Sequence, residues 1–112
     1  METIAAISTA PGLGGIGIIR ITGDQAFNVL LKIFKSKKVK KIEDIVPNTI
    51  IYGKIYEEDR MIDEVLVSFF KSPNSYTRED LVEINTHGGS IVMKEILDLV
   101  LRSGAILAQP GE

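Results

Sequence analysis

Ile4-Ala5-Ala6-Ile7, Thr9-Ala10-Pro11-Gly12-Leu13-Gly14-Gly15-Ile16-Gly17 and Ile18-Ile19-Arg20-Ile21 place two short apolar runs on either side of a glycine-rich hinge. Both runs are rich in isoleucine and read as β-strands over residues 3–9 and 16–22. Glycines beside a proline permit a sharply folded backbone that a ligand can approach closely. Arg20 is the odd member, a cation inside an otherwise hydrophobic strand.

Outward from this hinge the pattern changes at Asp24. Ala26, Phe27, Leu30, Leu31 and Phe34 recur at helical spacing, and Thr22-Gly23-Asp24 offers a turn and a capping residue, so a helix is expected to end near Phe34 or Lys35. Lys35-Ser36-Lys37-Lys38-Val39-Lys40-Lys41 follows, with five lysines. It reads either as a solvated connection, the plainer choice, or as a basic loop facing RNA. Residues 49–56 and 64–70 are β-like and flank Glu57-Glu58-Asp59-Arg60, which favours a hairpin. Their partial alternation suits a sheet with one buried face.

Residues 71–77 form a polar loop, and Thr77-Arg78-Glu79-Asp80 resembles the first turn of a short helix. A strand over 81–85 then runs into Thr86-His87-Gly88-Gly89. A second helix is expected over 90–102, with Ile91, Val92, Ile96, Leu99 and Val100 as its apolar stripe, stopped by Ser103-Gly104. Residues 105–108 give a last short strand. This order predicts an α+β two-layer domain, a mixed β-sheet with helices packed on one face. The closing Gln109-Pro110-Gly111-Glu112 reads as an interrupted connection, so a fragment of something longer is expected.

Composition narrows the function. A chain of 112 residues suits one domain, and 45% hydrophobic with 25% charged residues is ordinary globular usage. A formal charge of -2 and a pI near 5.4 give no global attraction to nucleic acid or anionic membrane, so any RNA contact must be local. The absence of cysteine excludes disulfides, thiolate metal sites and cysteine nucleophiles, and a single histidine argues against a metal cluster. Asp98 and Arg102 interrupt and close the apolar stretch at residues 96–101 far short of the roughly 20 residues that span a bilayer. No signal peptide is legible, so a cytoplasmic location and no membrane contact are expected.

Gly12-Leu13-Gly14-Gly15-Ile16-Gly17 formally matches the dinucleotide fingerprint G-x-G-x-x-G. That motif needs a helix starting at the glycines to face a pyrophosphate, whereas Ile18-Ile19-Arg20-Ile21 reads as a strand. No P-loop is present, so these residues are not expected to hydrolyse GTP or ATP. Arg20 is either a half-exposed arginine on the wet side of a strand or a guanidinium fork for a carboxylate or ring edge. Glu83, between Val82 and Ile84, poses the complementary choice: a wet sheet face, or an acceptor for two adjacent N–H donors of a heterocycle. His87 is open to an acid–base, structural or ligand-contacting role, and without a cysteine or serine partner the last two are favoured. Gly88 and Gly89 permit close backbone approach. Tyr76 is either a ring closing a pocket or a core or interface tyrosine.

These segments together are more specific than the glycine loop alone. The runs from Thr3 to Gly12 and from Gly15 to Gly23, with Ser72-Pro73-Asn74-Ser75-Tyr76-Thr77-Arg78-Glu79-Asp80, Glu83-Ile84-Asn85-Thr86-His87-Gly88-Gly89 and Pro110-Gly111-Glu112, closely resemble, in order, the N-terminal domain of the MnmE/TrmE family of tRNA modification GTPases. The resemblance implies a fold similar to the folate-binding domain of aminomethyltransferases. It implies a domain that binds 5-formyl- or 5,10-methylene-tetrahydrofolate and pairs subunits into a homodimer. The family works with the flavoprotein MnmG/GidA on carbon 5 of the wobble uridine, U34, of tRNA. Its helical domain and its GTPase domain, with GTP, potassium and magnesium, correspond to nothing in these residues.

Carried across position by position, the resemblance puts the folate-binding arginine on Arg20 and the glutamate on Glu83. Gly14, Gly15, Tyr76, His87, Gly88 and Gly89 are the further candidate pocket residues, with no catalytic or metal-binding residue. A third folate contact of the family lies in the segment after Pro-Gly-Glu. The competing reading is a folate-free dimerisation module with a purely structural glycine loop, while a free-standing aminomethyltransferase would require a much longer substrate domain.

Overall fold

The computed structural model describes residues 2–8, 17–73 and 79–109. Strand β1 (Ile4–Ile7) pairs antiparallel with β2 (Gly17–Thr22), as the two isoleucine-rich runs predict. Helix α1 (Ala26–Leu31), a two-residue strand β3 (Phe34–Lys35) and a single 3-10 turn (Ile42–Asp44) follow. The hairpin of β4 (Thr49–Glu57) and β5 (Arg60–Phe70), then β6 (Leu81–Thr86), helix α2 (Gly89–Arg102) and β7 (Ile106–Leu107) complete the order.

The seven strands form one sheet in the order β3-β4-β5-β6-β2-β1-β7. Every pairing is antiparallel except β1 with β7, so the sheet is mixed. Alternation fixes its two faces. Ile19 and Ile21 of β2, Val65, Val67 and Phe69 of β5, and Val82 and Ile84 of β6 are fully buried and share one core with Leu30 of α1 and Ile96 and Val100 of α2. Within it the rings of Phe27 and Phe69 meet edge to face, with centroids 5.8 Å apart. Both helices therefore cover a single face, and the α+β two-layer expectation holds.

Five local expectations are corrected. Helix α1 ends at Leu31, not near Phe34, because Phe34 leaves the helix to pair with Ile55. Phe34 is nonetheless buried, so its helical spacing reported burial and not backbone state. Asp24 does not cap this helix. The Thr3 hydroxyl accepts from Gln25 N–H at 2.9 Å, and Gly23 O accepts from Ala26 N–H at 3.1 Å.

In α2 the buried residues are Met93, Ile96, Leu99 and Val100, whereas Ile91 is 79% exposed. Two positions from Met93 is roughly 200° around a helix, which turns Ile91 away from the sheet. Glu79 lies in a bend and Asp80 in irregular chain, not in a helical turn, and positions 77–78 of that expected turn lie outside the described residues. Asp80 is a loop tie: its carboxylate accepts from Ser72 N–H at 2.9 Å and its carbonyl from Gly23 N–H at 3.0 Å. The hairpin is longer than expected because a register shift at Ile55/Tyr56 absorbs an extra residue and lets pairing reach Glu57 and Arg60.

Arg60 Nη2 donates to Glu57 Oε1 at 2.8 Å and Glu95 Oε2 at 2.6 Å, and Arg102 Nη2 donates to Glu57 Oε2 at 3.1 Å. The hairpin tip is thereby tied to α2. Hydrogen bonds from Arg60 and then Arg102 hold the Glu57 carboxyl below its ordinary value. A lowered folded-state pKa means that this contribution is present above the unfolded pKa and disappears as pH falls through the folded one. Solvent screening keeps it small. Carboxyl titration by NMR should find the Glu57 midpoint below that of a model-peptide glutamate, and rising in Arg60→Ala. An unmoved midpoint in that variant would remove the tie.

Candidate functional site

Alternation that buries Ile19 and Ile21 turns Ile18, Arg20 and Thr22 to the face opposite helices α1 and α2, and the same rule brings Leu81, Glu83 and Asn85 of β6 there. The β2–β6 register then sets Arg20 directly opposite Glu83. Arg20 Nε donates to Glu83 Oε2 at 2.8 Å, and Nη2 approaches the same oxygen at 2.5 Å. Both contacts fall on one carboxylate oxygen. The side chains are 35% and 20% exposed, so the pair is half-desolvated but reachable from solvent. Sequence spacing of 63 residues concealed this pairing, which only the strand order creates.

The register continues the row across the sheet: Glu83 faces Ser68 of β5, and Ser68 faces Ile50 of β4. A parallel row runs Ile18, Asn85, Leu66, Tyr52. Ile50, Tyr52 and Leu66 are 65%, 54% and 40% exposed, so this face is apolar as well as open. The Tyr52 hydroxyl donates to Glu64 Oε1, and that hydrogen bond raises its pKa above the usual tyrosine value. Sequence reading missed these residues because the hairpin's alternation does not say which face lacks a helix.

His87, Gly88 and Gly89 lie beyond the end of β6, and the structure gives each a local task. His87 N–H and Gly88 N–H both donate to Asp63 Oδ2, at 2.7 and 3.1 Å. An anion does meet the amides leading into α2, but it is the protein's own carboxylate. His87 Nδ1 lies 3.0 Å from Glu64 O, and among the described residues His87 makes no hydrogen bond to Arg20 or Glu83. A Cβ on Gly88 would stand 2.6 Å from Val92 Cβ, and Gly89 has a φ of +85°, which other residues rarely adopt. Gly14, Gly15 and Tyr76 lie outside the described residues.

Asp63 is the structural residue that sequence reading overlooked, an acidic side chain only 9% exposed within a strand. Asp63→Ala should cost roughly 1–3 kcal/mol, because it strands two N–H donors at the entry to α2. Asp63→Asn, which keeps an acceptor, should cost less. Hydrogen exchange should show faster exchange at His87 and Gly88 in the alanine variant. Unchanged protection there would show that another group caps the turn.

No group of three or more His, Cys, Asp or Glu among the described residues is arranged to hold a metal ion. No helix among them is long and apolar enough to cross a membrane. Against known proteins, the chain matches the family described as GTP-binding protein TrmE N-terminus over residues 3–112. It is 56% identical over 113 residues to the tRNA modification GTPase MnmE of Thermoanaerobacter pseudethanolicus, covering 99% of this chain and 25% of that protein. The tRNA modification GTPases MnmE of Alkaliphilus oremlandii and Lactiplantibacillus plantarum are 56% and 52% identical, each over 99% of this chain and 24% of their own length. The chain thus spans about a quarter of the length of the curated relatives it matches. With the match running through both glycine segments and all seven strands, the chain belongs to the TrmE N-terminal family.

Proposed function

We propose that residues 1–112 are the folate-binding and dimerisation domain of a GTPase that, with the flavoprotein MnmG/GidA, modifies carbon 5 of the wobble uridine of tRNA in the cytoplasm. The ligand is a reduced folate, 5-formyl- or 5,10-methylene-tetrahydrofolate, the one-carbon donor. GTP, potassium and magnesium belong to a G domain outside these residues.

The observation that carries this reading is the Arg20–Glu83 pair on the open sheet face. Among the described residues Glu83 Oε1 accepts no hydrogen bond, while Oε2 takes both guanidinium contacts. A carboxylate so oriented keeps one oxygen for the N–H donors of an aminopyrimidine edge, and a guanidinium is the side chain whose geometry suits a ring oxygen or carboxylate. When bound, the folate supplies the one-carbon unit. Arg20 and Glu83 orient its polar edge and need not move a proton.

Pairing of subunits is supported by exposed apolar surface at the sheet edge, where Ile106 and Leu107 of β7 are 48% and 53% exposed. The second reading, a folate-free dimerisation module, draws on the same ion pair, since Arg20 and Glu83 also satisfy one another. Calorimetry decides between them. Saturable binding of 5-formyltetrahydrofolate, competed by the methylene form, is expected for a dimer of the chain continued past Glu112. Dimer without folate binding would leave the structural reading. A persistent monomer at micromolar concentration in sedimentation would remove the dimer.

A further inference from the structure

A feature that the Arg20–Glu83 pair does not use lies on the same face. A cavity of about 570 Å³ opens where β4 and β5 meet the loop after β3, with Ile50, Tyr52 and Leu66 as its apolar lining and Lys37, Lys38 and Lys54 as its cations. The loop is held in shape. The Ser36 hydroxyl accepts from Val39 N–H at 3.0 Å and donates to Val39 O at 3.0 Å, and Val39 is buried. This clasp pins Lys37 and Lys38 as an exposed two-residue tip. Lys54 stands opposite Glu64 in the hairpin register, whereas Lys37 and Lys38 form no ion pair among the described residues. Two uncompensated cations beside an apolar trough call for a flat apolar group joined to carboxylates or other anions.

The sheet register measures how far this trough is from the ion pair. Arg20, Glu83, Ser68 and Ile50 stand in one row on β2, β6, β5 and β4. Three strand spacings amount to roughly 14 Å. The step between is low, because Ser68 is small and 7% exposed. A ligand held by its ring edge at Glu83 can lie across the row and reach Tyr52 and the lysine tip.

Resting on the reading of this face as a reduced-folate site, we propose that the trough takes the aminobenzoyl group of that folate, and that Lys37 and Lys38 bind the carboxylates of a poly-γ-glutamate tail. The form selected is then the polyglutamylated one. The orientation follows from charge. A tail running the other way would bring its carboxylates beside Glu83 and away from Lys37 and Lys38, and like charges repel. Single-stranded nucleic acid fits less well, since it needs successive aromatic platforms. Among the described residues Tyr52 is the only aromatic lining the cavity.

The test compares 5-formyltetrahydrofolate in monoglutamyl and pentaglutamyl forms, by equilibrium binding to the chain continued past Glu112. Wild type, Lys37→Ala/Lys38→Ala and Lys40→Ala/Lys41→Ala are measured; the last pair removes equal charge from the same loop but outside the cavity lining. The pentaglutamyl form should bind roughly tenfold more tightly to wild type, a preference that falls as salt screens it. The ratio should approach one in Lys37→Ala/Lys38→Ala and persist in Lys40→Ala/Lys41→Ala. Equal affinities in wild type, or a ratio that survives loss of Lys37 and Lys38, would overturn the tail site and leave the folate reading standing. Failure of both forms to bind would overturn both. A short single-stranded oligoribonucleotide is the third ligand. If its binding requires Lys37 and Lys38 while the two folates bind alike, the trough is an RNA contact and the tail site is refuted.

Discussion

Arg20→Ala and Glu83→Gln are each expected to weaken reduced-folate binding by more than about tenfold while leaving the domain folded. Removing one partner of a fully desolvated charged hydrogen bond costs on the order of 2–5 kcal/mol. Here the side chains are 35% and 20% exposed, which favours the lower end, about 2 kcal/mol or roughly thirtyfold. The same exposure limits the effect on folding, since partly solvated ion pairs contribute about 1 kcal/mol or less. Binding and stability should therefore separate. Calorimetry beside urea unfolding measures both, and unchanged affinity in the two folded variants would take Arg20 and Glu83 out of the site. Glu83→Gln adds a finer readout: it retains shape and one acceptor but exchanges the other for donors, which oppose the N–H groups of an aminopyrimidine.

Phe69→Ala should be among the most damaging single changes to stability, at roughly 3–5 kcal/mol. Phe69 is fully buried where β5 meets both β4 and β6, and its ring packs edge to face on Phe27 of helix α1. One truncation thus opens a void between the two layers. For a small domain of ordinary stability, in the range of about 5–15 kcal/mol, that is a large fraction. Ile91→Ala is the informative control. Helical spacing places Ile91 in the apolar stripe of α2, but its 79% exposure in the structure calls for a change within about 0.5 kcal/mol. Denaturant midpoints for the two variants distinguish these assignments. Equal losses would show that α2 is rotated relative to the sheet.

The fate of individual residues shows what a one-dimensional pattern reports. Ala26, Phe27, Leu30 and Phe34 are all buried as their spacing implies, but only the first three are helical. Burial was legible because apolar side chains leave water wherever the backbone lets them. Phe34 becomes a strand residue because Gly53 on β4 leaves room for its ring, a Cβ there coming within 2.4 Å of Phe34 Cε1. Nothing in the local spacing carries that partner. The tie at the start of α1 is likewise non-local, with the Thr3 hydroxyl accepting from Gln25 N–H. The glycines of His87-Gly88-Gly89 permit close approach of a ligand, and in the structure Asp63, 24 residues before His87, occupies the first amide of this loop.

By itself the sequence determined the α+β class, the two isoleucine-rich strands, the hairpin and the family, because hydrophobic period, turn residues and ordered motifs are properties of neighbours along the chain. It also marked Arg20 and Glu83 as polar groups in apolar strands. Only the tertiary structure decided that these two face each other, that they lie on the face opposite helices α1 and α2, and that the lysine-rimmed trough lies on the same face, three strands from Arg20. Those facts follow from strand order and register, which are set by the joint burial of residues far apart in the chain. No local window contains both sides of such a pairing.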